Sequence, residues 1–182
     1  HFPNVTLVGV VYADLSLHIP DFRAGERTFQ LLAQVAGRAG RGEIPGEVIV
    51  QTYTPSNVAI QAARRLDYEG FCDQEIESRR ELKYPPFAHL VCLTVKGPSE
   101  QRVSYHATAL AEKVRSTMPV KIIVSEATPA PLVKAKGHYR YQIMLRSSSM
   151  RLLSEKLKDV LQSFKLPKDV TCSVDVDAMS LL

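Results

Sequence analysis

Three polar side chains in the first quarter of the chain have the chemistry to hold a phosphate group. Gln34, Arg38 and Arg41 stand at positions i, i+4 and i+7 of residues 26–41, whose apolar residues recur at helical spacing. On a helix these three side chains form one stripe opposite the apolar side. A guanidinium suits phosphate because its planar fork donates two hydrogen bonds and keeps its proton. The alternative is that both arginines are solvated cations that favour the C-terminal end of the helix.

Two apolar segments flank this helix and would position it. Residues 5–11 are a continuous apolar run of strand length, which predicts a strand buried on both faces, as in a parallel sheet, and residues 47–53 predict a second strand. A strand–helix–strand unit of this kind is a right-handed crossover and half of a RecA-type lobe. Asp14 follows the first strand, at the end where open α/β sheets place ligands, so we expect it at the edge of a nucleotide site. The alternative is that Asp14 caps a turn.

The remaining chain predicts a connector and a second domain. Residues 59–86 are rich in helix-forming residues, with a break expected near Gly70 and an end at Pro85-Pro86. From residue 87 to 182 the pattern predicts a β-α-β-β-α-β domain. Its strands are predicted at 90–95, 121–125, 139–145 and 170–176, and its helices at 99–118 and 149–164. Because two helices can cover only one face of such a sheet, we expect the other face to be open. The fold class is therefore α/β: a partial RecA-type lobe at 1–58, a helical connector and this C-terminal domain.

The third strand of the second domain separates core side chains from candidate ligand-binding ones. Tyr139, Tyr141, Ile143 and Leu145 alternate onto one face, which we interpret as core. The alternate positions put His138, Arg140, Gln142 and Arg146 on the face that meets solvent or a ligand. The tyrosines therefore lie on the wrong face for the base stacking of an RNA-recognition motif, and we reject that alternative.

A Gly/Pro-containing loop, predicted at residues 128–137, precedes this strand and carries two lysines. Lys134 and Lys136, together with Arg140, predict a patch that contacts DNA phosphates. The alternative is a solubilising loop. Charge supports the patch, because residues 87–182 hold fourteen Lys/Arg against eight Asp/Glu, whereas residues 1–58 and 59–86 each have one more acidic than basic residue. A basic excess confined to one domain favours a polyanionic partner there.

Composition excludes several other classes of protein. No apolar run approaches the length of a membrane span, so no membrane partner is expected. The three cysteines, Cys72, Cys92 and Cys172, are far apart and lack a C-x-x-C pair, which argues against a metal site in these residues and favours a reducing compartment. No phosphate-binding G-x-x-x-x-G-K-[ST] loop occurs, so the chain is not expected to bind ATP competently by itself.

Longer motifs add a family resemblance. The pattern Gln-x-x-Gly-Arg-x-Gly-Arg at 34–41 resembles the last motif of superfamily 2 helicases and translocases. The segments 1–8, 14–27, 79–87 and 129–142 make the resemblance more specific, and it covers essentially the whole chain. They resemble the primosomal protein N′ family, which are DNA helicases of bacterial replication restart.

The resemblance implies a function and a set of cofactors. It implies the C-terminal part of an ATP-dependent DNA helicase that recognises stalled or branched replication forks and restarts replication by primosome assembly in the cytoplasm. Gln34, Arg38 and Arg41 would then be catalytic residues that reach the γ-phosphate of ATP. ATP and Mg²⁺ would be held mainly by a lobe upstream of these residues, and zinc by an upstream insertion. We therefore expect this chain alone to be inactive and to hold no cofactor.

The resemblance also implies partners. These are branched and single-stranded DNA, other primosome proteins, and the acidic C-terminal tail of single-stranded DNA-binding protein. The candidate contacts for that tail are Lys136, Arg140 and Gln142. The sequence leaves a second hypothesis open, namely a non-enzymatic nucleic-acid or protein-interaction module in which the arginine-rich helix is structural.

Overall fold

The chain divides into two units, residues 1–78 and 79–182, in a computed structural model that describes residues 5–37, 39, 46–178 and 181. Both units mix helices with strands, and each contains one sheet. The chain is therefore α/β, as the sequence predicts. The first unit contains β1 (Leu7–Val10), a short 3-10 helix (Ala13–Ser16), α1 (Ala24–Ala36), β2 (Glu47–Val50), α2 (Val58–Arg65) and most of α3 (Tyr68–Glu81).

The sheet of the first unit is a parallel pair, with Leu7 of β1 opposite Glu47 of β2 and Val10 opposite Val50. One part of the prediction is wrong, because the first strand, β1, is not buried on both faces. Leu7 is 58% exposed, and exposed and half-buried residues alternate along both strands. The continuous apolar run suggested two buried faces, but within the described residues the sheet has only two strands.

A small apolar core joins the helices of the first unit. The rings of Phe29 in α1 and Phe71 in α3 are stacked, with centroids 4.6 Å apart and an interplanar angle of 4°. Leu32 and Ile60 are buried in the same cluster. Fully burying a large apolar side chain contributes about 1.5–3 kcal/mol. These residues therefore hold α1, α2 and α3 together.

Two helix ends differ from the predicted ones. The first helix ends at Ala36, with Gly37 as its C-cap residue, so the prediction of a helix reaching Arg41 was too long. The break in the connector falls at Leu66, which has a positive φ of 55° and ends α2, rather than near Gly70. Gly70 lies inside α3, and its N–H donates to the Asp67 carboxylate at 2.9 Å. Asp67 therefore stabilises the start of the helix that the glycine was expected to break.

The second unit contains one five-stranded antiparallel sheet with two helices. Its elements are β3 (His89–Gly97), α4 (Glu100–Thr117), β4 (Ile123–Val124), β5 (Thr128–Ala135), β6 (His138–Ser147), α5 (Met150–Ser163) and β7 (Thr171–Val176). The strand order is β4-β6-β3-β7, with β5 also paired to β6. Each helix connects two strands that are separated by one intervening strand, which is the split β-α-β arrangement.

One strand was missed, because residues 128–137 were predicted to be a loop. Thr128–Ala135 forms β5 on the edge of β6, with a register shift between Pro129 and Lys134. Proline lacks a backbone donor and is tolerated on an edge strand, where no neighbour needs its N–H. Pro129 and Pro131 therefore mark an edge strand and not a loop.

One face of this sheet carries the core. Val91, Leu93 and Val95 of β3, with Ile143 and Leu145 of β6, are buried against the two helices. The helix residues that face them are Val103, Ala107, Leu110, Val114, Leu153, Leu157 and Val160. These are the inner faces that the helical periodicity predicts. Both helices lie on this side of the sheet. The residues that alternate with the core residues along each strand therefore form the other face.

The hairpin between β5 and β6 turns through two residues with positive φ, Lys136 at 48° and Gly137 at 80°. Ala135 pairs with His138, so the loop is two residues long. Two consecutive positive φ angles are typical of a type I′ turn, whose twist matches that of the strands. Gly137 adopts this conformation without steric cost, whereas a lysine at such a position is uncommon.

Candidate functional site

The predicted phosphate clamp can be followed only in part. Gln34 is exposed in the last turn of α1, on the side away from the buried Phe29 and Leu32. This is the side on which the stripe was predicted. Arg38 and Arg41 lie outside the described residues, so their catalytic assignment stays a prediction.

Asp14 is enclosed by hydrogen-bond donors. Its carboxylate is fully buried and accepts from the hydroxyl of Thr52 at 2.9 Å and from the backbone N–H groups of Tyr53 at 2.9 Å and Thr54 at 3.1 Å. The Thr54 hydroxyl donates to it as well. This is the arrangement of the turn-capping alternative, in which the acid ties the 3-10 helix to the end of β2. The role of Asp14 at the edge of a nucleotide site stays a prediction.

These hydrogen bonds also set the ionisation of Asp14. The bond from the Thr54 hydroxyl has the largest effect; with the bonds from Tyr53, Thr52 and the Thr54 N–H it outweighs burial and lowers the pKa of Asp14 from 3.8 to about 2. Donors that approach a carboxylate favour its charged form. Asp14 is therefore an anion at neutral pH and accepts four bonds from within its own unit.

The open face of the second sheet forms a groove of about 790 Å³. Three rows of side chains cross it from β6 through β3 to β7, and the register places Arg140, Lys96 and Thr171 in the first row. The second row is Gln142, Thr94 and Ser173, and the third is Met144, Cys92 and Asp175, of which Cys92 and Asp175 line the groove. The groove is therefore basic at one end, rich in hydroxyl groups in the middle and acidic at the other end.

The structure separates the predicted DNA-binding residues. Lys136 and Arg140 both line the groove. Lys134 does not, because its ammonium lies 4.6 Å from the centroid of the Tyr139 ring and 3.4 Å from the Tyr139 hydroxyl. Tyr139 packs against the core of the helix-covered face, so Lys134 follows that ring and not the open face.

Two cations of the groove were missed at the level of sequence. Lys96 lies at the end of β3, one residue beyond the predicted strand, and Lys168 lies in the loop before β7. Gly97 allows that loop to approach, because a Cβ at this position would lie 2.9 Å from the carbonyl oxygen of Asp169. The alternation of β3 places Lys96 on the same face as Thr94, so a longer predicted strand would have identified it.

Gln142, a predicted partner-binding residue, has a structural contact. It lines the groove but is buried, and its Nε2 donates to the carbonyl oxygen of Leu181 at 3.1 Å. Asp177 holds the same C-terminal segment to β3, since its carboxylate accepts from the Leu90 N–H at 3.0 Å and lies 3.1 Å from Nδ1 of His89. Burial opposes the effect, but these two contacts lower the pKa of Asp177.

Arg146 is also part of the structure rather than of the groove. Its guanidinium donates to the carbonyl oxygen of Leu82 and lies 4.5 Å from the centroid of the Tyr84 ring. It therefore anchors the segment that leads into β3. Within the residues that the structure describes, no group of three or more His, Cys, Asp or Glu side chains is placed to hold a metal ion. No helix there has both the length and the apolar character needed to cross a membrane.

Comparison with known proteins gives a family match and alignments that cover nearly all of this chain. The family model of the primosomal protein N C-terminal domain matches residues 80–179. The replication restart protein PriA of Bacillus subtilis (strain 168) is 41% identical over 184 residues, which cover 100% of this chain and 23% of that protein. The PriA proteins of Synechocystis sp. and Treponema pallidum are 39% and 36% identical, over 98% and 100% of this chain and 21% and 28% of their own lengths. The chain thus spans about a quarter of the length of these relatives.

Proposed function

The chain belongs to the family of the primosomal protein N C-terminal domain, and from this we propose that it is the C-terminal part of an ATP-dependent DNA helicase that acts in replication restart. The observation that carries the proposal is the alignment with replication restart proteins from end to end of this chain, including the first unit, which lies outside the matched domain. In this proposal the longer protein recognises stalled or branched forks, assembles a primosome and works in the cytoplasm.

The first unit contributes to ATP hydrolysis in this proposal, as the end of a RecA-type lobe. Its parallel strands and intervening α1 support that assignment. Arg38 and Arg41 would stabilise charge on the phosphoryl group during transfer, with Gln34 beside them. A positioned arginine contributes roughly 10³–10⁵ in rate in well-studied nucleotidases. ATP and Mg²⁺ would be held mainly by a lobe outside this chain, and zinc by an insertion outside it.

The second unit contributes binding. We assign Lys136 and Arg140 to contact with branched or single-stranded DNA, or with the acidic tail of single-stranded DNA-binding protein, because both cations line the open groove. A carboxylate-ended tail suits Arg140 through bidentate pairing. Lys134 lies on the Tyr139 ring, which makes it a weaker candidate than the sequence suggested. Other primosome proteins complete the proposed set of partners.

The test is DNA-stimulated ATP hydrolysis by the longer protein with Arg38→Ala or Arg41→Ala. We expect turnover to fall by roughly 10³ while DNA affinity is retained, since both arginines would act on charge that develops during phosphoryl transfer. The matched control is Arg64→Ala, an arginine in the last turn of another helix of the same unit. Wild-type turnover in either test variant would overturn the catalytic assignment of that arginine, whereas a longer protein that hydrolyses no ATP at all would favour the alternative, a non-enzymatic interaction module. The 182-residue chain alone should hydrolyse no ATP.

A further inference from the structure

Two cations face each other on the open side of the second sheet. Lys96 of β3 and Arg140 of β6 are register partners, and both line the groove. Directly opposed side chains in an antiparallel sheet have Cβ atoms about 4.5–5.5 Å apart, a separation at which like charges repel. Among the described residues, neither cation is paired with a carboxylate. An anion bound between them would reduce this repulsion.

Two further lysines extend this basic end. Lys136 stands in the turn of the β5–β6 hairpin with a φ of 48°, a conformation that asparagine or glycine adopts more readily. Lys168 belongs to the loop that Gly97 allows to approach the sheet. Four cations therefore surround one end of the groove, and three of them carry a local cost: Lys136 through its positive φ, and Lys96 and Arg140 through their mutual repulsion. We call these four residues the basic end of the groove.

We propose that the basic end of the groove binds the sugar-phosphate backbone of duplex DNA without reading its sequence. Lysine, arginine and hydroxyl side chains are the usual partners of backbone phosphates, and Thr94, Thr171 and Ser173 supply the hydroxyls beside the basic end. The choice of DNA as the polyanion rests on the proposed function. The choice of residues rests on the register and the groove.

The residues that line the groove favour a duplex over a single strand. Proteins that bind single strands without sequence preference stack the bases on aromatic side chains. Among the described residues that line this groove, His138 alone has an aromatic ring, and Tyr139 and Tyr141 of β6 pack against the opposite, helix-covered face. A duplex already stacks its bases and presents only its backbone. The groove therefore offers cations and hydroxyls for the backbone of a duplex, but with His138 as its one described aromatic ring it offers little stacking surface for an unpaired strand.

The acidic residues of the groove limit the orientation in which a duplex can bind. Asp169 is paired with Arg102 at 2.9 Å, which leaves Asp175 as the acid of the opposite end of the groove. Asp175 lies two rows from Lys96, so a backbone bound along the full length of β3 would meet a carboxylate. The duplex should therefore cross the strands at the Lys96–Arg140 row and not run along them.

The experiment measures binding of the 182-residue chain to a short mixed-sequence duplex as a function of salt concentration. Four phosphate contacts predict a slope of about −3 to −4 in log affinity against log salt. Lys96→Gln, Arg140→Gln and Lys136→Asn should each make the slope shallower by about one. Asparagine is chosen at 136 because it tolerates the left-handed turn. Lys134→Gln is the matched control, a lysine on the same hairpin outside the groove, and Lys96→Arg is the control that keeps the charge; both should retain the wild-type slope.

The outcomes separate this inference from the proposed function. Shallower slopes in the three groove variants, with both controls unchanged, support the site. Duplex binding that depends on Lys134 as much as on Lys136, or on neither, overturns the site but leaves DNA binding standing. Tighter binding of an oligothymidine of the same length overturns the choice of a duplex. Binding to neither DNA overturns the inference for this chain, while the ATP hydrolysis test of the longer protein remains independent of it.

Discussion

Each of the two units places charged side chains near the ends of its strands, but in one unit the charge is buried and hydrogen-bonded, and in the other it is open to solvent. In the first unit, Asp14 is buried and accepts four hydrogen bonds from Thr52, Tyr53 and Thr54. In the second unit, Lys96 and Arg140 stand opposite each other on an open face and are not paired with an acid among the described residues. The hydrogen bonds of Asp14 are complete within the fold, whereas Lys96 and Arg140 would be neutralised by the DNA phosphates that we propose they bind.

This difference shows how a structural charge can be distinguished from a functional one. A buried charge is stable only when its hydrogen bonds are made, so Asp14 stabilises the end of β2 and has little capacity left for a ligand. Like charges directly opposite each other cost stability, and we propose that Lys96 and Arg140 are retained because a bound phosphate offsets that cost. Removal of the first kind of charge should therefore weaken the protein, and removal of the second kind should strengthen it.

The largest effect is expected for Asp14→Ala. The substitution removes the acceptor of four donors, and buried donors without partners are costly. We expect the thermal midpoint of the first unit to fall by roughly 5 °C, measured by the loss of amide signals of Tyr53 and Thr54 on heating. Asp73→Ala, at a helical position in the same unit, is the control. An unchanged midpoint would mean that Asp14 is not structural and would favour its predicted role at the edge of a nucleotide site.

An intermediate effect is expected from acid. The pKa of Asp14 is lowered from 3.8 to about 2, with the Thr54 hydroxyl as the largest cause. Because the folded pKa lies below the unfolded one, the stabilising effect is fully present above about pH 4 and is lost as the pH falls towards 2. NMR titration of the Asp14 carboxyl carbon measures this directly. Thr54→Val keeps the side-chain shape but removes the hydroxyl, and should move the midpoint of the titration back towards 3.8. A midpoint that stays near 2 would assign the shift to the remaining donors, which are the Thr52 hydroxyl and the backbone N–H groups of Tyr53 and Thr54.

Periodicity predicted the second unit well. Its two helices were expected at 99–118 and 149–164, and they are Glu100–Thr117 and Met150–Ser163. The alternation along β6 also identified Ile143 and Leu145 as core. These features depend on neighbours within one element, and the sequence of that element contains the information.

Contacts between residues of two distant elements could not be predicted from the periodicity of either element. Lys96 and Arg140 are 44 positions apart in sequence and become neighbours only through the register of β3 with β6. The stacking of Lys134 on Tyr139 requires β5 to be a strand, and its prolines suggested a loop. The donors around Asp14 come from residues 52–54, on the other side of α1. Sequence therefore suggested most of the residue types at each site, but pairing in three dimensions decided which of them are available.

The smallest effect, and the one of opposite sign, is expected for Lys96→Gln. Removing one of two directly opposed cations relieves repulsion, so the free energy of unfolding should rise by about 0.2–0.5 kcal/mol at low salt. High salt screens exposed charges, so the gain should disappear there. Denaturant unfolding at two salt concentrations measures both effects, with Lys96→Arg as the control that keeps the repulsion. The same Lys96→Gln variant is expected to lose a phosphate contact, so it should be more stable and bind duplex DNA less well. A variant that is less stable at low salt would show that Lys96 has a structural partner. The charge of Lys96 would then stabilise the fold, as that of Asp14 does.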